Sequence, residues 1–162
     1  MLVSGVVLGI LAGVAFRRSW RPLSSLSIRL VPVLAVALAL RALAPTLPAL
    51  GLAMYVAAMI GTVIVAGANW RMPGATLVMI GGILNLLVVL ANSGMPVEIG
   101  ALEVARAEMP TDLLHVVAAD STVARLLADM IPIPLLRSVY SIGDFGIAAG
   151  GFLIPFAAFM RR

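Results

Sequence analysis

Apolar residues run almost unbroken through five stretches of the chain, separated by arginines, prolines and short polar clusters. A helix that crosses a bilayer needs about 20 mostly apolar residues at about 1.5 Å each. Residues 2–16, 28–43, 48–68, 74–91 and 141–160 meet or approach that length, so the pattern predicts five spans. The first is short. Met1 is expected near one headgroup layer, with Arg17 and Arg18 snorkelling to the other. Arg29 and Arg41 bracket the second span, and the third carries no charge. The stretch 69–74 (Asn-Trp-Arg-Met-Pro-Gly) reads as a tight turn with a tryptophan at interface depth. Pro155 interrupts the fifth span.

Residues 92–140 follow another rhythm. Within 97–109 and 111–130, apolar and charged residues alternate at helical spacing. Leu113, Leu114 and Val117 fall on one face, and Leu126, Leu127 and Met130 on another. Thr111–Asp112 and Asp120–Ser121 are N-cap signals, and Pro110, Pro132 and Pro134 are stops. These features predict two or three short amphipathic helices lying on the bilayer or capping the bundle. The expected fold is a single domain, 1–162: an all-α polytopic transmembrane bundle of about five spans, with short amphipathic helices in a long outer loop.

Composition supports this class. Of 162 residues, 62% are apolar and 11% charged, against about 25% charged in ordinary soluble domains. A soluble chain this short cannot hide so much apolar surface, which excludes a soluble enzyme and a disordered tail. The net charge of +4 comes from arginine alone, since lysine is absent. The arginines cluster at the ends of apolar runs, which is a topology signal rather than a nucleic-acid footprint. One side of the five-span scheme receives Arg17, Arg18, Arg21, Arg29, Arg71, Arg161 and Arg162 and no acid. The other receives Arg41 and the 92–140 segment, which is rich in acids. The positive-inside rule then places the arginine side in the cytoplasm, the N-terminus outside and the C-terminus inside. Arg17, Arg18, Arg21, Arg71, Arg161 and Arg162 become inner-face residues that set topology or meet lipid.

Candidate chemistry is sparse. Cysteine is absent, which removes disulfides and thiolate metal sites. Without lysine there is neither Schiff-base chemistry nor a phosphate-loop lysine. His115 is the lone histidine, and carboxylates at irregular spacing around it do not make a metal motif. No catalytic, cofactor or metal site is expected, and no enzyme. Gly5, Gly9 and Gly13 stand four apart, a stripe that lets helices approach closely in lipid. It serves either packing inside the bundle or docking on a partner subunit. Asn85, midway along the fourth span, is expected to hydrogen-bond across helices. Ser141 and Asp144 open the last span with the spacing of a capping box. A carboxylate at membrane depth is also a functional candidate.

Asn92-Ser93-Gly94-Met95-Pro96-Val97 is similar to the Asn-Gly-Gly-x-Met-Pro-Val signature of a family of small multi-pass bacterial membrane proteins, domain of unknown function 5317. His115 followed by Asp120, Ser121 and Thr122 also resembles it. So do the Leu-x-Asp-x-Ile-Pro stretch (Leu127, Asp129, Ile131, Pro132) and Ser-Ile-Gly-Asp at 141–144. The resemblance covers mainly 80–155. Ser93 and Ala128 replace the family's usual glycines, and Gly94 stands where many members carry an arginine. The resemblance implies a bacterial plasma-membrane location and a shared outer polar cluster of Asn92, His115, Asp129, Ser141 and Asp144, but no activity. Two main readings stand: an accessory subunit of a larger membrane complex, or a small-solute or ion-handling protein with an outer-face polar site. A third is a membrane anchor or sensor for a signalling partner. The expected partners are the lipid bilayer and other membrane subunits, with no nucleic acid.

Overall fold

The computed structural model describes residues 1–17, 23–24, 26–112 and 114–160, with the Arg17 side chain excepted. Five long helices dominate the described residues: α1 (Leu2–Arg17), α2 (Val31–Leu43), α3 (Gly51–Ala68), α4 (Ala75–Asn92) and α6 (Ile142–Met160). Of these, α3, α4 and α6 are long and apolar enough to cross a membrane. Only 28–39% of their residues are buried within the protein. The remainder, including Ile64, Ile80, Leu87 and Leu90, points outward, which is the surface of a helix solvated by lipid.

Glycine determines how the helices meet. The Gly5–Gly9–Gly13 stripe of α1 packs in parallel along α6. A Cβ at Gly5 would strike the Ala148 carbonyl, one at Gly9 the Phe152 carbonyl, and one at Gly13 the Phe159 ring. The stripe therefore faces this chain's own last helix. Pro155 does not end α6, which runs through it. Its ring lies 2.9 Å from where a Gly9 Cβ would stand. On its other side α6 crosses α4 antiparallel, with Gly150 against the Gly74 backbone and Gly143 against the Gly81 backbone. Gly61 of α3 lies over Ala37 of α2. Apolar side chains gain little by leaving lipid for one another, so close backbone approach and the dispersion it permits hold the bundle.

At the α2–α3 end opposite the 93–141 segment, the Asn69 amide seals the bundle. Its Nδ2 donates to the Arg29 and Val65 carbonyls, and its Oδ1 accepts the Arg29 N–H at 2.8 Å. Trp70, exposed in the adjoining turn, lies under the Arg71 guanidinium. Trp20, Arg18, Arg21, Arg161 and Arg162 lie outside the described residues, as does Leu113.

The 93–141 segment departs from the expected amphipathic helices. Among its described residues the one α-helix is α5 (Ile99–Ala105), shorter than the 97–109 the periodicity suggests. The described residues of the 111–130 stretch form no α-helix. It contains strand β2 (His115–Val117), a turn at 119–122 and a 3-10 turn at 125–127. Strand β1 (Met95–Val97) pairs in parallel with β2 on one side and bridges Asp129 on the other. Strands β3 (Ile131–Ile133) and β4 (Ser138–Tyr140) form an antiparallel ribbon. The physical reason is long-range. β1 is fully buried, and its backbone must find partners there. The β-branched run Val116–Val117 supplies them on one side, and Asp129 does so on the other (Asp129 N–H to Pro96 O, 2.9 Å). Asp112 does accept N–H groups in the manner of a cap, from Leu114 and His115 at 3.1 Å. A strand follows it rather than a helix. The fold is thus mostly helical, with two small ribbons.

Candidate functional site

The segment 92–97 ends α4 and begins the buried strand. Ser93 takes the left-handed conformation (φ 54°) as the C-cap of α4. Gly94 lets β2 pass close, since a Cβ there would lie 2.8 Å from Val116 Cγ1 and 2.9 Å from the Leu114 carbonyl. Met95 and Val97 then enter the protein interior, and Met95 joins a core with Tyr55, Val88, Val89 and Leu114. A non-glycine residue at positive φ is strained by about 1 kcal/mol. Ser93→Gly is therefore expected to raise stability by about 0.5–1 kcal/mol, read as a higher melting temperature in detergent. A lower one would show that the Ser93 side chain contributes something its surroundings do not reveal.

The α4–α6 crossing builds the first half of the site. Gly81 and Gly143 bring the backbones together, and the Asn85 carboxamide fills the space beside Gly143. Ser141 Oγ donates to Asn85 Oδ1 at 2.9 Å, and Asn85 Nδ2 donates to Asp144 Oδ1 at 3.1 Å. The capping box is also present. The Asp144 N–H donates to Ser141 Oγ at 3.0 Å, and the Ser141 N–H donates to Asp144 Oδ2 at 3.3 Å. Ser141 and Asn85 are buried, while Asp144 is half-buried. One carboxylate thus serves both as helix cap and as cross-helix acceptor, with the anion favourably placed in the first turn of α6.

The second half comes from the ribbon segment. His115 lies between two carboxylates, with Nδ1 2.6 Å from Asp112 Oδ1 and Nε2 3.5 Å from Asp129 Oδ2. Burial favours the neutral ring, but the two carboxylates outweigh it and hold His115 above its ordinary 6.5. Burial pushes Asp129 up, His115 pulls it back, and the charge of Asp144 raises it further, leaving it above the usual carboxylate range. Asp112 lies below that range: burial raises it, but its bonds to His115 prevail. Asp129 Oδ1 is buried with no hydrogen-bond partner among the described residues.

Four of these groups line one cavity of about 390 Å³, where the bundle meets the ribbons. Asn85, His115, Asp129 and Asp144 all border it, and Ser141 stands directly behind Asn85. Of the five residues of the expected cluster, four gather here. Asn92 does not. Its amide bonds Val88 and the Val123 backbone (3.0 and 2.8 Å) and ties α4 to the loop. Asn85 and Asp112 belong to the site although the cluster omitted them. The Asp112–His115 spacing of three was the available signal. Among the described residues no group of three or more His, Cys, Asp or Glu could hold a metal ion.

A model of the family of unknown function DUF5317 matches residues 13–156. The chain belongs to this family. Comparison with curated proteins and with solved structures returns no match. The DUF5317 match takes in Asn85, the 92–97 signature, His115, Asp129 and Ser141–Asp144 together.

The ionisation pattern predicts a pH response. The raised His115 contributes stability that is complete below pH 6.5 and is lost as pH rises through its folded value. The raised Asp129 works the same way, because its charged form is penalised. The lowered Asp112 contributes stability above its ordinary 3.8 that is lost as pH falls through its folded value. The melting temperature is therefore expected to fall with rising pH above 6.5, and His115→Gln should flatten that slope. An unchanged slope in the variant would mean that His115 does not carry the response.

Proposed function

We propose that this DUF5317 protein is a five-span protein of the bacterial plasma membrane that binds a small polar solute in the cavity between its bundle and the ribbon segment. The observation that carries the reading is Asp129. Only 4% exposed, with one oxygen lacking a donor among the described residues, it borders a cavity already furnished with Asn85, His115 and Asp144. Buried polar groups ordinarily find partners. A cavity near 390 Å³ falls within the usual range for small-molecule sites, about 300–1,000 Å³.

The five-span topology is supported by the alternating direction of α2, α3, α4 and α6. Open strand edges in the ribbons also cannot be solvated by hydrocarbon, which favours an aqueous face for 93–141. With the arginines inside, that face is the outer one, the N-terminus is outside and the C-terminus cytoplasmic. A tag fused after residue 162 should be protected from protease added to intact cells, and cleavage there would reverse the orientation. Solute binding is tested by ligand-induced shifts in melting temperature across a panel of amines, acids, alcohols and sugars. A panel with no shift, in a folded protein, removes the reading.

The accessory-subunit reading keeps one specific support. Leu126, Leu135 and Leu136 are exposed in the ribbon segment, Leu135 at 91%, and such apolar groups suit a partner or the membrane surface. The glycine stripe of α1 does not support it, since that stripe faces α6. Purification in mild detergent discriminates the two: a stoichiometric companion favours the subunit, and a lone protein that binds solute favours the binding site.

A further inference from the structure

We propose that the ligand of this cavity is a small organic cation, an ammonium or guanidinium group on a short apolar body, whose N–H donors are received by Asp129 and Asp144. The inference rests on the solute-binding reading and adds the chemical class. Asp129 Oδ1 accepts nothing among the described residues, and its Oδ2 meets only the His115 ring. Asp144 accepts from the neutral Asn85 amide and the Ser141 N–H. Among the described residues, no arginine lies within ion-pair reach of either carboxylate. The charge of His115 is met on the far side of its ring by Asp112 at 2.6 Å.

Arg41 and Arg137 also border the cavity, as does Glu108. Both arginines are exposed. Arg41 lies over the Tyr55 ring, and Arg137 donates to the Arg106 carbonyl. Water and salt screen charges at such a rim, whereas buried and partly buried charges are screened much less. The acidic floor therefore decides the sign of the ligand. A bare metal ion fits poorly, because both His115 nitrogens are engaged and no three-ligand group exists among the described residues. The walls are apolar (Leu38, Met59, Val89 and Ile147 among them) and suit a hydrocarbon body.

Protons compete for the same oxygens. The groups facing Asp129 are His115 from β2, Asp112 before that strand and Asp144 from α6. As pH falls below the raised value of Asp129, affinity for the cation should drop about tenfold per pH unit.

The test uses the full chain in lipid nanodiscs, with n-butylammonium, n-butanol, butyrate and magnesium ion as probes. At pH 8, saturating n-butylammonium should raise the melting temperature by about 2–4 °C, with no shift from the other three. Asp129→Asn should abolish the shift, and Asp120→Asn, an exposed control, should keep it. Should Asp129→Asn fail to fold, loss of the shift in wild-type protein at acid pH gives the same reading. An equal shift from n-butanol, or one from butyrate or magnesium, overturns the cation and leaves a solute site. No shift from any probe overturns the cation, and no shift across the wider panel as well overturns the solute site.

Discussion

Replacing Gly9 by leucine is expected to prevent α1 from docking on α6 and to leave little folded protein. The missing Cβ of Gly9 corresponds to a position occupied by the Phe152 carbonyl, with the Pro155 ring 2.9 Å away. Neither is the end of a flexible side chain, so no rotamer change relieves the clash. Overpacking commonly costs about 1–3 kcal/mol. A backbone collision on a helix pair whose whole attraction depends on close approach belongs at the upper end, about 4 kcal/mol or more. Leu8→Ala, on the exposed face of the same helix, should cost less than about 1 kcal/mol. The measurement is melting temperature by fluorescence-detected gel filtration. A Gly9→Leu protein with wild-type stability that loses a co-purifying companion would instead place the stripe against a partner, and the α1–α6 packing described here would be wrong.

The second large effect is expected at Asn85. Leucine there removes one donor and one acceptor at once. Ser141 Oγ loses its acceptor, and Asp144 Oδ1 loses its donor. Hydrogen bonds across membrane helices average less than about 1 kcal/mol. Stranding a carboxylate costs more, and breaking one partner of a buried charged pair reaches about 3–5 kcal/mol. Asp144 is half-buried and borders the cavity, so water recovers part of that cost. We expect Asn85→Leu to destabilise by about 2–3 kcal/mol. A double-mutant cycle with Asp144→Ala should return a coupling of about 1–2 kcal/mol. Additive losses would show that the amide and the carboxylate do not stabilise one another.

Both predictions concern glycine and amide positions that a sequence can mark but not pair. The Gly5–Gly9–Gly13 spacing shows a face suited to close contact and is silent on what fills it, because any smooth helix satisfies the same stripe. The Ser141–Asp144 capping box was legible because its partners are three residues apart and helix geometry brings them together. That Asp144 also receives Asn85, 59 residues away, depends on the α4–α6 crossing. The 111–130 stretch departs from its local pattern for the converse reason. Its apolar spacing fits a helix locally, and Asp112 accepts N–H groups in the manner of a cap, but the buried β1 strand needed hydrogen-bond partners and took them from His115–Val117 and Asp129.

By itself the sequence determined that this chain is a helical membrane protein, because apolar run length and arginine placement are local quantities that hydrocarbon and water sort directly. It also marked the helix ends, the cap at 141–144 and four of the polar residues that border the cavity, Asn85, His115, Asp129 and Asp144. Only the tertiary structure decided that α1 lies along α6, that residues 93–141 fold as ribbons, and that Asn85 and Asp112 join His115, Asp129 and Asp144 while Asn92 does not. Those outcomes depend on which distant backbone and side-chain groups satisfy one another, and such pairing leaves no period in a linear chain.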